Sequence, residues 1–386
     1  MAKRMDCPNR TRWFTEKVYS GVSDDVEKLK SEVFGSAKKY YPEKSKYNIY
    51  YGEMHGHTCL SDGHPTLDEY FINIRDNAKL DFAAISDHDH GGVGKAELWG
   101  ENWEYTKKKV KEYYEPGKFT TLLAYERDSY PWYDNMIIYY NNHDGELIRG
   151  EIDGEITSNE LSDILKRDDI IAVPHDTYYL ECGADFRVIP PELFTPMIEV
   201  FSRGDCAEYF GNPYNVEQLQ FEGGYWQDAL MRGAKMGCIG GSDDHACKNG
   251  LTIEPEFEGD LRVYPGITGV LAEENSLNSI FDAIKAKRTF AFTGGRVAID
   301  FRINGHYMGE EFQCNGDRTV YFKVSADAPI KQITVVKNCR DYVRIQRRKE
   351  FLFYDISKES DCDFYYLRVE IEGGRCALTS PIWINS

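Results

Sequence analysis

Glu53-Met-His-Gly-His-Thr-Cys-Leu-Ser-Asp-Gly63 is the stretch on which the reading of this chain turns. The run Tyr47–Met54 leading into it has the composition of a strand. Just beyond it, Thr66-x-x-Glu69 has the form of a capping box, and Leu67, Tyr70, Phe71, Ile74 and Ala78 follow at helical spacing. The order is strand, histidine-rich connection, helix. His55 and His57 are two residues apart, and positions i and i+2 of extended chain face the same way, so both imidazoles can reach one ion.

The same order recurs outward from that stretch. Strands are expected at Phe82–Ser86, Thr120–Ala124, Met136–Tyr140, Ile170–Val173, Met197–Phe201, Gly237–Gly240 and Ile267–Leu271. Helices are expected at Glu97–Tyr114, after Thr157-x-x-Glu160, ending near Leu230, and after Ser276 with Leu277, Ile280, Phe281 and Ile284 on one face. Alternating strands and helices imply an α/β fold, a parallel sheet covered by helices, and the number of units suggests a closed barrel. After Thr293-Gly-Gly295 the pattern changes. Val297, Ile299, Phe301 and Ile303 alternate, Asn304-Gly305 offers a tight turn, and Val320, Phe322 and Val324 alternate again. The division expected is a helical extension over 1–47, a β/α unit over 48–295 and a small sandwich-like all-β domain over 296–386.

Composition narrows the function classes. The 386 residues are 41% hydrophobic and 14% aromatic, enough apolar surface to fold rather than stay disordered. With 46 Lys and Arg against 64 Asp and Glu the net charge is −18, a poor match for a nucleic-acid backbone. A local positive site can still attract a small anion. No apolar run is long enough to span a bilayer, and no apolar stretch follows the basic start Met1-Ala-Lys-Arg. Ten cysteines without CxxC pairs read as free thiols, and the expected compartment is the cytoplasm. The sequence leaves the oligomeric state open.

Seven of the nine histidines fall in four short segments: His55, His57 and His64; His88 and His90; His175; and His245. Each follows an expected strand, which in a barrel of parallel strands is the rim where active sites are built. Asp243 and His245 repeat the i, i+2 spacing. Imidazole with carboxylate suits Zn, Mn or Fe better than Ca.

Met54-His-Gly-His-Thr-x-x-Ser-Asp-Gly63, Ser86-Asp-His88 and Gly241-Ser-Asp-x-His245 resemble the motifs of the PHP (polymerase and histidinol phosphatase) family, in matching order over about residues 50–295. The trailing unit, with Arg288-Thr-Phe-Ala-Phe-Thr-Gly-Gly before it and Asp300-Phe-Arg-Ile-Asn-Gly after it, resembles an uncharacterised branch of PHP-like proteins. The resemblance implies a distorted (β/α)7 barrel that holds two or three divalent metal ions and hydrolyses phosphate esters. Carried over by residue, it places His55, His57 and Asp243 on a first ion and makes Glu126 the bridge to a second, held by His175. Asp62, His88 and His245 take the third. Where the family has a histidine between the bridging glutamate and the His175 position, this chain departs from the pattern; Asp134 is the expected substitute and His143 the alternative.

Three divalent ions would bring about six positive charges against about four negative ones from Asp62, Glu126, Asp134 and Asp243, which favours a phosphate dianion. A water activated by the ions would be the nucleophile, so no Ser or Cys nucleophile is required. Glu126, Arg203 and His245 are the candidate catalytic residues, with Arg203 as a fork for phosphate. Weaker candidates are Arg127, Asp87, Glu199, His64, His90, Tyr178 and Tyr179; Cys59 reads as a packing residue. The expected partner is a small anionic substrate, a phosphate monoester or diester, with no nucleic-acid polymer and no membrane. The alternative is hydrolysis of carboxylic or carbamate esters or amides at the same centre. A non-catalytic module is disfavoured, because structural zinc sites are closed four-ligand cages.

Overall fold

The computed structural model describes residues 43–89, 98, 100–148, 156–180, 183–202, 205–215, 220–246, 256–258 and 261–386, with the main chain alone at 128–130, 134, 256–258 and 261–263. The helical extension expected over 1–47 lies outside the described residues as far as residue 42, and so do His90 and Arg203.

The first strands are β1 (Asn48–Glu53), β2 (Phe82–Ile85), β3 (Thr120–Tyr130), β4 (Tyr133–Tyr140) and β5 (Ile170–Pro174). β1, β2 and β3 run parallel, whereas β4 is antiparallel to β3 and to β5. The reason is the connection: only Pro131 and Trp132 separate β3 from β4, which allows a hairpin and leaves no room for a crossover. Since β4 runs backwards, β5 points the same way as β1 to β3, and the C-terminal ends of all four lie at one edge. A second, three-stranded sheet holds β6 (Met197–Ser202), β7 (Asp205–Cys206) and β8 (Gly237–Gly240), with β6 and β8 parallel. A small hairpin pairs β9 (Glu256–Glu258) with β10 (Leu261–Val263). β11 (Gly266–Ala272) lies antiparallel to β1 and to β12 (Thr289–Thr293). The all-parallel sheet expected from the β/α alternation is therefore corrected to a mixed one.

Helices are few: α1 (Leu67–Ile72), α2 (Glu101–Tyr113), α3 (Ser158–Leu165), α4 (Trp226–Met231) and α5 (Leu277–Lys285) among the described residues. Thr66 and Thr157 each close a capping box, with Glu69 and Glu160, and the Ser276 hydroxyl accepts from the Ser279 N–H. α2 starts four residues later than expected, after Gly100, and the helix expected to end near Leu230 is the single short α4. Burial explains the faces: Leu67, Tyr70 and Phe71 of α1, and Leu277, Ile280, Phe281 and Ile284 of α5, are buried, each contributing roughly 1.5–3 kcal/mol of transfer free energy. No helix among the described residues is long and apolar enough to cross a membrane.

From residue 297 on, every described element is a strand: β13 (Val297–Ile303), β14 (His306–Tyr307), β15 (Glu311–Gln313), β16 (Arg318–Ala326), β17 (Ile330–Lys337), β18 (Arg340–Ile345), β19 (Glu350–Asp355), β20 (Cys362–Ile371), β21 (Arg375–Thr379) and β22 (Ile382–Asn385). Asn304 and Gly305 have φ of +51° and +91°, the left-handed pair that a two-residue hairpin turn requires. β13, β14, β16 and β19 form one sheet. The others join the large sheet through β21, whose Ala377, Leu378 and Thr379 pair with Phe292, Ala291 and Phe290 of β12. One hydrophobic cluster runs from Leu67 to Ile384.

The junction holds a buried ion pair. Glu208 accepts from Arg368 Nε at 2.7 Å and Nη2 at 2.6 Å, and from the Tyr366 hydroxyl at 2.6 Å. Glu208 is fully buried and Arg368 is 6% exposed. Removing one partner strands the other charge. Glu208→Ala should therefore lower unfolding free energy by about 3–5 kcal/mol in denaturant titration, and a loss below about 1 kcal/mol, the range of an exposed pair, would contradict this account of the junction.

Candidate metal centre

The strand ends deliver the side chains. Past β1 the chain stays extended: the His57 N–H donates to the Asp244 carbonyl at 3.1 Å, the Asp243 N–H to the His55 carbonyl at 3.0 Å, and Ser86 and Gly56 bond each other's backbone through main chain and hydroxyl. With Gly56 between them, His55 and His57 face one way. The β2–β3 ladder continues past β2, setting His88 beside Glu126, with the Glu126 N–H on the Asp87 carbonyl at 3.1 Å and the Asp89 N–H on the Glu126 carbonyl at 2.9 Å. His175 follows β5, and its N–H reaches the Asn135 carbonyl at the start of β4. Gly241 lets the end of β8 pass close by: a Cβ there would lie 2.3 Å from His55 Cβ and 3.0 Å from Glu199 Oε2.

These groups converge. His57 Nε2 is 3.0 Å from Asp243 Oδ1 and 3.2 Å from Glu126 Oε2; His55 Nε2 is 3.2 Å from Glu126 Oε2, 3.4 Å from Asp243 Oδ1 and 3.1 Å from His57 Nε2. His175 Nε2 contacts Glu126 Oε1. Toward solvent, Asp62 Oδ1 lies 3.2 Å from His245 Nε2 and 3.7 Å from both His88 Nε2 and His57 Nδ1. Four overlapping donor groups result: His55, His57 and Asp243; His55, Glu126 and His175; His57, Asp62, His88 and His245; and His175, Asp176 and Asp243. Two donors about 2.1 Å from one ion are held about 3.0–3.5 Å apart at tetrahedral to octahedral angles. The inner spacings match that range, and the imidazole–carboxylate mix suits a divalent transition metal.

The electrostatics point the same way. Glu126, Asp243 and Glu199 are almost fully buried, and the cationic partners they meet are imidazoles. Burial opposes charge on His55, but Glu199, Asp243 and Glu126 outweigh it and push it up to about 10. Against the same burial, hydrogen bonds to Asp243 and Glu126 push His57 up to about 9. Burial likewise opposes ionisation of Glu126, yet His175, His88 and His55 hold its carboxyl well below the usual range. Without a cation, the buried carboxylates favour protons on His55, His57 and His175.

Among the weaker candidates, Glu199 accepts from His55 Nδ1 at 3.1 and 3.2 Å, which fixes the ring with Nε2 turned inward. Asp87 accepts from the Thr58 N–H, the Thr58 hydroxyl and the Ser61 hydroxyl, tying down the loop after His57. Arg127 is buried and donates to Asp89 at 3.0 Å. His64 donates to the His245 carbonyl at 2.8 Å. Tyr178 is buried and stacks on Tyr225, with ring centroids 5.5 Å apart. The packing role expected for Cys59 is corrected: Cys59 is exposed. His143 lies at the opposite end of the strands, donating to the Thr121 carbonyl at 2.9 Å, away from the cluster. The Asp134 side chain and Arg203 lie outside what is described.

Two carboxylates went unnoticed in the sequence. Glu53 accepts from the N–H groups of Ser242 and His55 beneath the cluster, and burial pushes it up to about 7 against those bonds. A lone acid at the end of an otherwise apolar strand was the available signal. Asp176, next to His175, joins the fourth donor group.

The family model described as a protein of unknown function (DUF3604) matches residues 256–324. An uncharacterized protein of Chlamydia pneumoniae is 23% identical over 383 residues, covering 92% of this chain and 60% of its own length. One from Chlamydia trachomatis is 25% identical over 396 residues with the same coverage, so the chain spans about three fifths of these relatives. Among solved structures, a two-domain protein of Bacteroides vulgatus containing a predicted PHP-like metal-dependent phosphoesterase is 13% identical, with a TM-score of 0.46 over 91% of this chain and 100% of that one. A protein of Bifidobacterium adolescentis described as a metal-dependent phosphoesterase is 15% identical, with a TM-score of 0.31 over 55% of this chain and 92% of that one. At these TM-scores neither likeness bears on function.

A cation needs the imidazole lone pairs that protons hold at neutral pH. Because His55 and His57 are raised to about 10 and 9, they carry protons at pH 7.5 that a cation must displace. Binding of Mn²⁺ or Zn²⁺ should release protons and tighten as pH rises from 6.5 toward 9. Calorimetry in buffers of differing ionisation enthalpy reads this directly; binding without proton release and with flat affinity would contradict the protonation described.

Proposed function

We propose that this chain is a metal-dependent hydrolase of small phosphate monoesters or diesters. The observation that carries the reading is the continuity of the donor groups. They share His55, His57, His175 and Asp243, and they run from a fully buried set to one whose His88, Asp62 and His245 side chains are 20%, 19% and 23% exposed. A structural ion is enclosed on all sides; this cluster has a closed floor and an open mouth, where an anion can meet it.

His55, His57 and Asp243 would hold one ion, Glu126 with His175 a second, and Asp62, His88 and His245 a third, with Asp134 as the further donor expected from sequence. Two or three divalent ions (Zn, Mn or Fe) would supply charge stabilisation for phosphoryl oxygens and a water acidic enough to attack. The protein's own part is positioning. Glu199 holds the His55 ring, Asp87 holds the loop of Thr58 and Ser61, and the hydrogen bond from the His64 ring to the His245 carbonyl braces the outer edge. Arg203 would act as the phosphate clamp, with Glu126 and His245 as the other catalytic candidates. In the same reading the mixed sheet is a distorted (β/α)7 barrel, interrupted between β5 and β6, and residues 296–386 form the C-terminal β domain.

A panel of phosphate esters and carboxylic esters, assayed with Mn²⁺ or Zn²⁺ and after chelation, tests this. Phosphate esters should turn over only in the cation-loaded protein. His57→Ala and Asp243→Ala should lose cations and turnover together, and Glu199→Gln, which keeps the shape but weakens the hold on His55, should lower turnover by about 10–100-fold. Full turnover by the chelated protein, or cleavage of carboxylic esters alone, would overturn the assignment.

A further inference from the structure

The following rests on the cation centre proposed above and concerns one of its donors. The donor set proposed above draws its further donor from Asp134, whose side chain is not described, and leaves Asp176, next to His175, without a role. His143 is occupied at the other end of the strands by the Thr121 carbonyl. We propose that Asp176 is a cation ligand, sharing an ion with His175 and Asp243.

Three observations support this. Donor atoms of His175, Asp176 and Asp243 all lie within 4.8 Å of one another. His175 is 3% exposed, and its buried Nδ1 has no hydrogen-bond partner among the described residues. The Asp176 Oδ2 lies 3.6 Å from that Nδ1, just outside both hydrogen-bond distance and the spacing of two donors on one ion, so a small side-chain rotation brings it into range of a shared cation. The Asp176 side chain is 22% exposed, so an ion held there stays within reach of solvent.

The backbone explains how neighbours in sequence come to share a target. On a strand, residues 175 and 176 would point to opposite faces. Asp176 has φ of +49°, beyond the end of β5, and this left-handed step turns its side chain back toward the face that His175 uses. Asp243 has the same φ of +49°, so both carboxylates of this group sit on left-handed residues. Asp and Asn adopt this region more readily than most residues.

Asp176→Asn separates ligation from positioning. Asparagine tolerates the left-handed backbone and keeps an oxygen that can accept from His175, but it lacks the anionic donor. The full-length protein and the variant are loaded with Mn²⁺, desalted and measured by elemental analysis, with near-ultraviolet dichroism as a check on fold. The variant should retain one equivalent fewer than wild type, while His143→Gln keeps the wild-type count. Should the asparagine variant fold poorly, Asp176→Ser reads the same loss. A variant that retains as many ions as wild type, or an ion lost in His143→Gln, overturns the assignment. A wild-type protein that retains no ion overturns the centre itself, and this ligand with it.

Discussion

Buried carboxylates set against buried imidazoles are the constraint on which this molecule depends. Glu126 and Asp243 sit within 3.0–3.4 Å of the Nε2 atoms of His55 and His57, with Glu199 behind His55. Such a group is expensive to bury unless positive charge accompanies it. Protons can supply that charge, as the upward shifts of His55 and His57 show, and divalent cations can replace them. In the reading proposed above, a cluster whose charge is balanced by exchangeable cations suits chemistry on anions, while it is poor at holding a fold together.

The fold carries that cost elsewhere. Parallel β1, β2 and β3, with β5 in the same direction, bring four strand ends to one edge, so one residue pair or one loop from each suffices to build the centre. Close approach of the β8 end depends on Gly241 having no side chain. Stability comes from the apolar cluster that continues through β12 and β21 into the C-terminal strands, and from the enclosed Glu208–Arg368 pair. Strand β12, which would otherwise be an open edge, is covered by β21.

Much of this was legible in the sequence, for physical reasons. The i, i+2 spacing of His55 and His57 reads directly as a shared face once the chain is extended. The boxes at Thr66 and Thr157 and the cap at Ser276 mark helix starts through local hydrogen bonds, and all three are present. Asn304-Gly305 marks a hairpin through its backbone preference. What stayed hidden is what local patterns do not encode. The direction of β4 depends on the two residues Pro131 and Trp132, and a strand reads alike in either direction. The pairing of β12 with β21 joins residues far apart in sequence. Asp176 stays hidden because strand alternation would turn residue 176 away from His175, and only its left-handed φ brings it back. Glu199 gave a mixed signal, a lone acid in a buried strand, which the 3.1 Å contact to His55 resolves.

Anomalous diffraction from crystals grown with Mn²⁺ tests the central claim most directly. The account predicts peaks about 2.0–2.3 Å from donor atoms of His55, His57, Glu126 and Asp243, with a further peak toward Asp62 and His245. Crystals whose Mn²⁺ peaks lie only elsewhere on the protein, with His55 and His57 still hydrogen-bonded to Glu126 and Asp243, would contradict it.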